Sequence, residues 1–360
     1  MQSGSGPSRR GMLLALAGVM ALPGCGIHLE ENAPAIPLIP RRTPVPGESD
    51  LLALLHGTLD LAKSFPANSF RGPTGGTGGG SAVAARAAEF GQAHTQEAAV
   101  LDSALRRLGV PADLLAQPSA STSGTSAPGS STTSGSSSGF DVLAQERAAL
   151  ALVSRLYTSA PLDLLPTLAS LAAARSVVCR ALTHPTASPP STEPTPSTAP
   201  PPSTAPTPAL SDEPSPTLSA PPAALAYLAA SRAAVYGFEV VAARTRGEVR
   251  TAARRSLDTV RGLALAQETL AGGAAPPAPT AYRLPLLADD AETGRRLAED
   301  LAGGLLGAYG RAVATAATSG ADASAAAVRR DVATGARWLG DAALLADDWG
   351  IPLAPFPGLS

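Results

Sequence analysis

Apolar residues return at helical spacing in two long regions of the chain, with stretches between them that break the pattern. In the first region, a helix opens near Asp50, with Leu51, Leu55, Ala62 and Phe65 on one face and Leu52 and Leu59 beside them. A second spans Ser81 to Gly109 on the heptad Val83, Ala87, Phe90, His94, Glu97, Leu101, Ala104, Leu108, and Gly109 stops it. A third runs from about Phe140 to Thr158 through Val142, Glu146, Ala149, Val153 and Leu156. The fourth, Leu162 to Thr183, carries Leu164, Leu168, Leu171, Arg175, Val178 and Leu182, with Pro166 in its first turns.

The second region repeats the plan. Leu228, Val235, Phe238 and Ala242 mark a helix from Pro222 to about Arg246, and Val249, Ala253, Val260, Leu263 and Leu270 mark one from Gly247 to Ala271. A Pro-rich loop, Ala274 to Leu287, leads to a third helix capped by Asp289 or Asp290, built on Leu297, Leu301, Leu305 and Ala308 and ending near Gly320. The fourth begins near Asp322 and uses Val328, Val332, Leu339, Ala342 and Ala346, with Trp338 and Trp349 nearby. Gly350 stops it and Pro352 prevents a restart.

Four helices of this length suit a four-helix bundle. The pattern therefore predicts an all-α protein of two four-helix bundles, residues 50–183 and 222–350, with a tail over 351–360. The breaks supply the rest. The chain has 35 Pro and 35 Gly, and they cluster. Residues 119–139 are a Ser/Thr/Gly tract, and 184–221 a Pro/Ser/Thr spacer with Pro-Ser-Thr recurring at Pro190, Pro196 and Pro202. Both compositions predict disorder, because they bury too little apolar surface to offset ordering entropy.

The N-terminus predicts an address. Ser8-Arg9-Arg10-Gly11-Met12-Leu13 resembles the twin-arginine export motif, and the apolar run Met12 to Leu22 is too short to span a bilayer. Leu22-Pro23-Gly24-Cys25 resembles the bacterial lipobox, in which small residues admit the signal peptidase and the thiol takes the lipid. Residues 1–24 are thus read as a lipoprotein signal peptide of the twin-arginine type. Cys25 is the lipidation site, and 25–49, with Pro34, Pro37, Pro40, Pro44 and Pro46, is an extended tether. The expected location is the outer face of the cytoplasmic membrane, held by the acyl chains.

Charge excludes one class of partner. Net charge is −2, and residues 222–350 balance 14 Arg against 14 Asp and Glu, so nothing marks a nucleic-acid surface. Gly75 to Gly80 lacks the Lys of a phosphate-binding loop. Cys179 reads as a small buried thiol, since Cys25 is already used.

The chemistry that stands out is polar residues on apolar stripes. His94, Glu97, Glu146 and Arg175 fall at core positions, with His56 and Asp60 near the first stripe. Buried unpaired they would cost several kcal/mol each, about the penalty of an uncompensated charge, so they should meet. One reading is a carboxylate/histidine metal site for iron or manganese using His56, Asp60, His94, Glu97 and Glu146. The other is an ion-pair network in which Arg175 answers Glu97 or Glu146. The second is preferred, because a guanidinium repels a metal ion and keeps its charge, and because His-x-x-Glu reverses the Glu-x-x-His of di-iron bundles.

Ala233-Ala234-Val235-Tyr236-Gly237, Arg254-Arg255 with Leu257, Tyr282-Arg283-Leu284-Pro285 and Phe356-Pro357-Gly358-Leu359, in this order and spacing, resemble the DUF4439 ferritin-like domain of actinobacterial exported proteins. The Cys25-Gly26-Ile27-His28-Leu29-Glu30 start is similar to its lipoprotein members. The resemblance implies a ferritin-like bundle and no activity. Where that family often carries Glu-His before the Ala-Ala-Val-Tyr run, this chain has Ser231-Arg232, and residues 222–350 contain no histidine, so no metal is expected there. Arg232 and Arg261 can pair with Glu239 and Glu268, and Glu299, Asp300, Asp331, Asp347 and Asp348 read as solvated faces. The function expected is non-enzymatic: binding or assembly at the cell envelope, with an envelope protein as partner and no cofactor; the alternative is a metal-dependent oxidoreductase or metal-storage module using iron or manganese at the first bundle's His/Glu cluster. A ligand carrier would instead need a cavity among the small Ala and Gly residues.

Overall fold

The computed structural model describes residues 42–65, 80–116, 138–184, 218, 221–318 and 324–359. Residues 1–41, with Arg9, Arg10, Leu22, Gly24 and Cys25, lie outside them, as do nearly all of the 119–139 tract and the 184–221 spacer. The described residues are all-α, and Pro44–Ser360 form one compact unit.

Eight long helices and one short one are present among the described residues. They are α1 (Glu48–Ser64), α2 (Gly80–Arg107), α3 (Ala112–Ala116), α4 (Ser138–Ser159), α5 (Leu165–Thr183), α6 (Pro221–Arg244), α7 (Gly247–Ala271), α8 (Ala291–Thr318) and α9 (Ala325–Asp348). The stops have their expected causes. Gly109 and Gly350 both adopt positive φ, 81° and 79°, which lets the chain turn back while the amides of Val110 and Ile351 reach the carbonyls of Leu105 and Ala346. Asp290 caps α8: its Oδ1 accepts from the Thr293 amide at 2.7 Å, and its own amide donates to Thr293 Oγ1. Ser324, rather than Asp322, precedes α9 and accepts from the Ala327 amide. Pro166 sits in the first turn of α5, where its missing N–H costs nothing, after a single 3₁₀ turn over Leu162–Leu164.

Each half has the same internal plan. In the first, α1 packs on α2 and α4, and α4 on α5; in the second, α6 packs on α7 and α8, and α8 on α9. The halves do not stand apart as two tethered bundles. α5 lies along α9, touches α8 as well, and one apolar core runs from Leu51 and Leu101 through Leu165, Ala169 and Ala173 to Val332, Leu339 and Trp349. The reason is legible in α5, where Ala169, Ala173, Ala174 and Val177 are buried in addition to the predicted stripe. Small side chains on that second face allow two helices to approach closely. By length and composition α5 and most of α6 would suffice to cross a bilayer, but 61% of the apolar window in α5 is buried in the protein, so packing accounts for its apolarity.

Residues 351–359 are not a free tail. Pro357 is buried, its carbonyl accepts from the buried Ser170 hydroxyl of α5 at 2.7 Å, and the Leu353 amide donates to Glu89 of α2. Gly358 crosses α8 at Gly310, so close that a Cβ on Gly310 would sit 1.8 Å from the Gly358 carbonyl oxygen. We call this segment the strap.

Candidate functional site

Four helices of the first half each send polar side chains to one buried point. The α2 heptad places His94 and Glu97 one turn apart on the inward face; α4 contributes Glu146, α5 Arg175 and α1 Thr58. All five are fully buried. Arg175 is the hub: Nη1 donates to Glu146 Oε2 at 2.9 Å, and Nη2 donates to Glu97 Oε2 at 3.0 Å and to Thr58 Oγ1 at 2.8 Å. Thr58 Oγ1 in turn donates to the Leu54 carbonyl. The His94 ring lies between the two carboxylates, with Nδ1 2.9 Å from Glu97 Oε2 and Nε2 2.8 Å from Glu146 Oε1. The Nε2 approach is close but out of line, so neither of its two atoms completes a directed hydrogen bond.

Both ring nitrogens of His94 face a carboxylate oxygen, which favours the imidazolium. A neutral imidazole would turn a lone pair on one nitrogen towards a carboxylate, an arrangement the imidazolium avoids. Burial by itself would lower the His94 pKa, but the adjoining Glu146 and Glu97 carboxylates outweigh that and raise it. Burial would raise Glu146, yet the Arg175 charge and His94 hold it below the usual carboxylate range. Burial would likewise lower Arg175, and Glu97 and Glu146 raise it instead. Two cations thus stand against two anions in a buried site. Phe65, Phe90, Leu61, Val142 and Val178 form the apolar wall beside it, with the Phe65 ring 5.3 Å from that of His94.

The predicted network of His94, Glu97, Glu146 and Arg175 is therefore assembled, while two of the residues grouped with it stand elsewhere. His56 is half-buried and its Nε2 lies 3.2 Å from the Leu115 carbonyl of α3. Asp60 is exposed and pairs with Lys63 at 3.2 Å. Both follow from register: the buried stripe of α1 is Leu51, Leu54, Leu55, Thr58 and Leu61, which turns Leu59 and Asp60 outward. The short helix α3, which no periodicity announces, takes up His56. An iron or manganese site does not fit these residues. The carboxylate oxygens that would face an ion face the guanidinium, and no three His, Cys, Asp or Glu among the described residues are arranged to hold one.

The second half has a neutral counterpart. Ser231 of α6, Gln267 of α7 and Tyr309 of α8 are buried and mutually bonded: Ser231 Oγ donates to Gln267 Oε1 at 2.6 Å, Gln267 Nε2 donates to Tyr309 Oη at 2.8 Å, and the Ser231 and Tyr309 hydroxyls lie 2.6 Å apart. Burial pushes the Tyr309 phenol up to about 12, so it stays protonated. The first helix of each half thus supplies a hydroxyl, Thr58 or Ser231, and the second a carboxylate or carboxamide, Glu97 or Gln267. Arg232, next to Ser231, pairs with Glu268, and Arg261 with Glu239.

The sequence missed the polar seam between the halves. Asp347 is not a solvated residue: Arg86 of α2 and Arg180 of α5 both donate to it, and Arg180 also reaches Asp348 and the Leu344 carbonyl. Asp331 is likewise buried. Arg329 of α9 donates to the Ala160 and Tyr157 carbonyls at the end of α4, the place where a helix dipole favours a cation. No helical periodicity marks these residues, because their partners are about 160 to 260 positions away. Trp349 is a core residue whose indole donates to Ser256 at 2.9 Å. Cys179 is half-buried rather than buried, and burial pushes its thiol up to about 12, which leaves it inert as a nucleophile.

Depressions among the described residues include the following pair. One of about 210 Å³ lies under the strap among Gly303, Leu306, Gly307, Ala343, Ile351 and Leu353. It falls below the roughly 300–1,000 Å³ typical of ligand pockets. The other is a shallow groove between α6 and α7, bordered by Glu239, Arg254, Asp258 and Arg261.

Fold and site together define an all-α helical-bundle protein whose buried polar centres are internally neutralised. Residues 223–360, from α6 through the strap, match the family model described as "Domain of unknown function (DUF4439)". No curated protein and no solved structure matched the chain.

Proposed function

We propose that the protein is exported, lipid-anchored through Cys25 to the outer face of the cytoplasmic membrane, and acts there as a metal-free binding or scaffold protein with an envelope protein as partner. The observation that carries this reading is the succession of Arg9-Arg10, the short apolar run and Leu22-Pro23-Gly24-Cys25 at the start of the chain. The helical body supports it. The buried groups of the two polar centres are spent on one another: two carboxylates meet a guanidinium and an imidazolium in the first half, and Ser231, Gln267 and Tyr309 share neutral hydrogen bonds in the second. A group that must bind substrate or move a proton would need a free valence facing a pocket, and neither depression contains one of these side chains.

Metabolic labelling with a palmitate analogue tests the anchor. The full chain expressed in a lipoprotein-processing bacterium is expected to take label and fractionate with membranes, and Cys25→Ala to lose both. Label retained in Cys25→Ala, or absent from the natural chain, would refute it.

A further inference from the structure

Charge in the second half is balanced in sum but not in place. Residues 244–261, from the end of α6 into α7, hold six arginines against Glu248 and Asp258. The α6–α7 hairpin brings several of them together. Arg250 donates to the Ala243 carbonyl at 3.3 Å, Arg261 pairs with Glu239, and Arg254 and Arg261 border one groove with Ala242, Ala243 and Leu257. Arg244, Arg246, Arg254 and Arg261 are exposed, and no ion pair among the described residues engages Arg246 or Arg254. Like charges gathered this way repel one another, and an anion laid across them relieves the repulsion.

Exposed leucines flank the same face. Leu287 is 71% exposed and Leu265 66%, against 38% and 39% for Leu59 and Val100 of the first half. Leu265 lies one turn beyond Arg261 on α7. Leu287 lies two residues before Asp289, whose carboxylate meets Arg244 at 3.4 Å. Arginines alone would suit any polyanion, and leucines alone any apolar partner. Together they match a bilayer interface, where phosphates lie at the surface and hydrocarbon just beneath.

We propose that this face docks the helical body on an anionic phospholipid surface, with Arg244, Arg246, Arg254 and Arg261 on the phosphates and Leu265 and Leu287 at the acyl boundary. The guanidinium fork fits phosphate oxygens in pairs. The inference rests on the proposed location at the membrane: the acyl chains hold the N-terminus there, and this face lays the body against the same bilayer.

The test uses the full chain carrying Cys25→Ala, so that no acyl chain contributes, sedimented with vesicles of equal parts phosphatidylglycerol and phosphatidylcholine. Residues 1–24 are common to every chain compared, so differences report on the body. Binding is expected to weaken as salt rises, and to fall about tenfold or more on adding Arg244→Gln, Arg246→Gln and Arg254→Gln. Leu265→Ser with Leu287→Ser is expected to weaken it several-fold. Arg147→Gln, Arg311→Gln and Arg330→Gln together remove as much charge from exposed sites on α4, α8 and α9, and should change binding by less than about twofold. Equal loss in the two triple variants, or no loss in the first, would overturn the proposal. So would capture of the chain by duplex DNA but not by vesicles. Palmitate labelling of the natural chain keeps the two readings apart: label taken up while the first triple variant still binds refutes this face and leaves the anchor standing.

Discussion

At the scale of single residues, the quartet ties stability to pH from both sides. His94 has a raised pKa, so its stabilisation is fully present below its ordinary value of 6.5 and is lost as pH rises through the folded value. Glu146 has a lowered pKa, so its stabilisation is present above its ordinary value of 4.5 and is lost as pH falls through the folded value. The unfolding midpoint in denaturant should therefore be highest between those two ordinary values and decline on either side. In His94→Gln the decline on the alkaline side should shrink, because no proton is left there to lose. An alkaline limb of equal size in both proteins would contradict the assignment. Removing one partner outright is harsher: Glu146→Ala is expected to cost about 3–5 kcal/mol, the range for stranding a buried charge, measured by the same denaturation. These four residues were legible from the heptad, because a stripe position is a statement about burial and buried charges must meet. Thr58 was not, since a hydroxyl on a helix so often bonds its own backbone that it raises no alarm.

Single elements show where close packing overrides propensity. Two glycines of α8 make a matched pair. At Gly304 a methyl would meet nothing within 4 Å, whereas at Gly310 it would enter the Gly358 backbone. Gly304→Ala should raise stability by up to about 1 kcal/mol through helix propensity. Gly310→Ala should lower it by about 1–3 kcal/mol or more, and should release the strap to proteolysis. Thermal melts and limited digestion of the two variants check both signs; a neutral Gly310→Ala would mean that the strap does not need its seat. The same principle explains why α5 was read only in part. Its stripe of Leu164, Leu168, Leu171, Arg175 and Val178 is buried as the periodicity requires. The opposite face, made of alanines, serines and Val177, gave no amphipathic signal because small residues are at home both in water and in a tight helix contact.

The whole molecule is two helical groups of like plan joined along α5 and α9, with the strap and the Arg86, Arg180 and Asp347 seam holding the join. A fragment of residues 221–360 alone contains the family-matched segment but lacks α5. It would leave Gly340, Ala343 and Leu344 of α9 without their neighbours and Asp347 without its arginines. The fragment is expected to melt below the full chain and to self-associate, as judged by scanning calorimetry and gel filtration. A monomeric fragment of undiminished stability would show that the join adds nothing to folding.

The sequence by itself determined the helices, most of their caps and stops, and which polar residues had to be buried, since all of these depend on residues within a few turns of one another. Only the tertiary structure decided the rest: that Arg175 reaches two carboxylates at once, that His56 and Asp60 look away, and that Asp347 belongs to a seam. It also decided that two periodic regions form one body and that the last residues strap it. Those outcomes rest on contacts between separate elements, 29 to 264 positions apart, or on a half-turn of helix register, and an alanine face records neither.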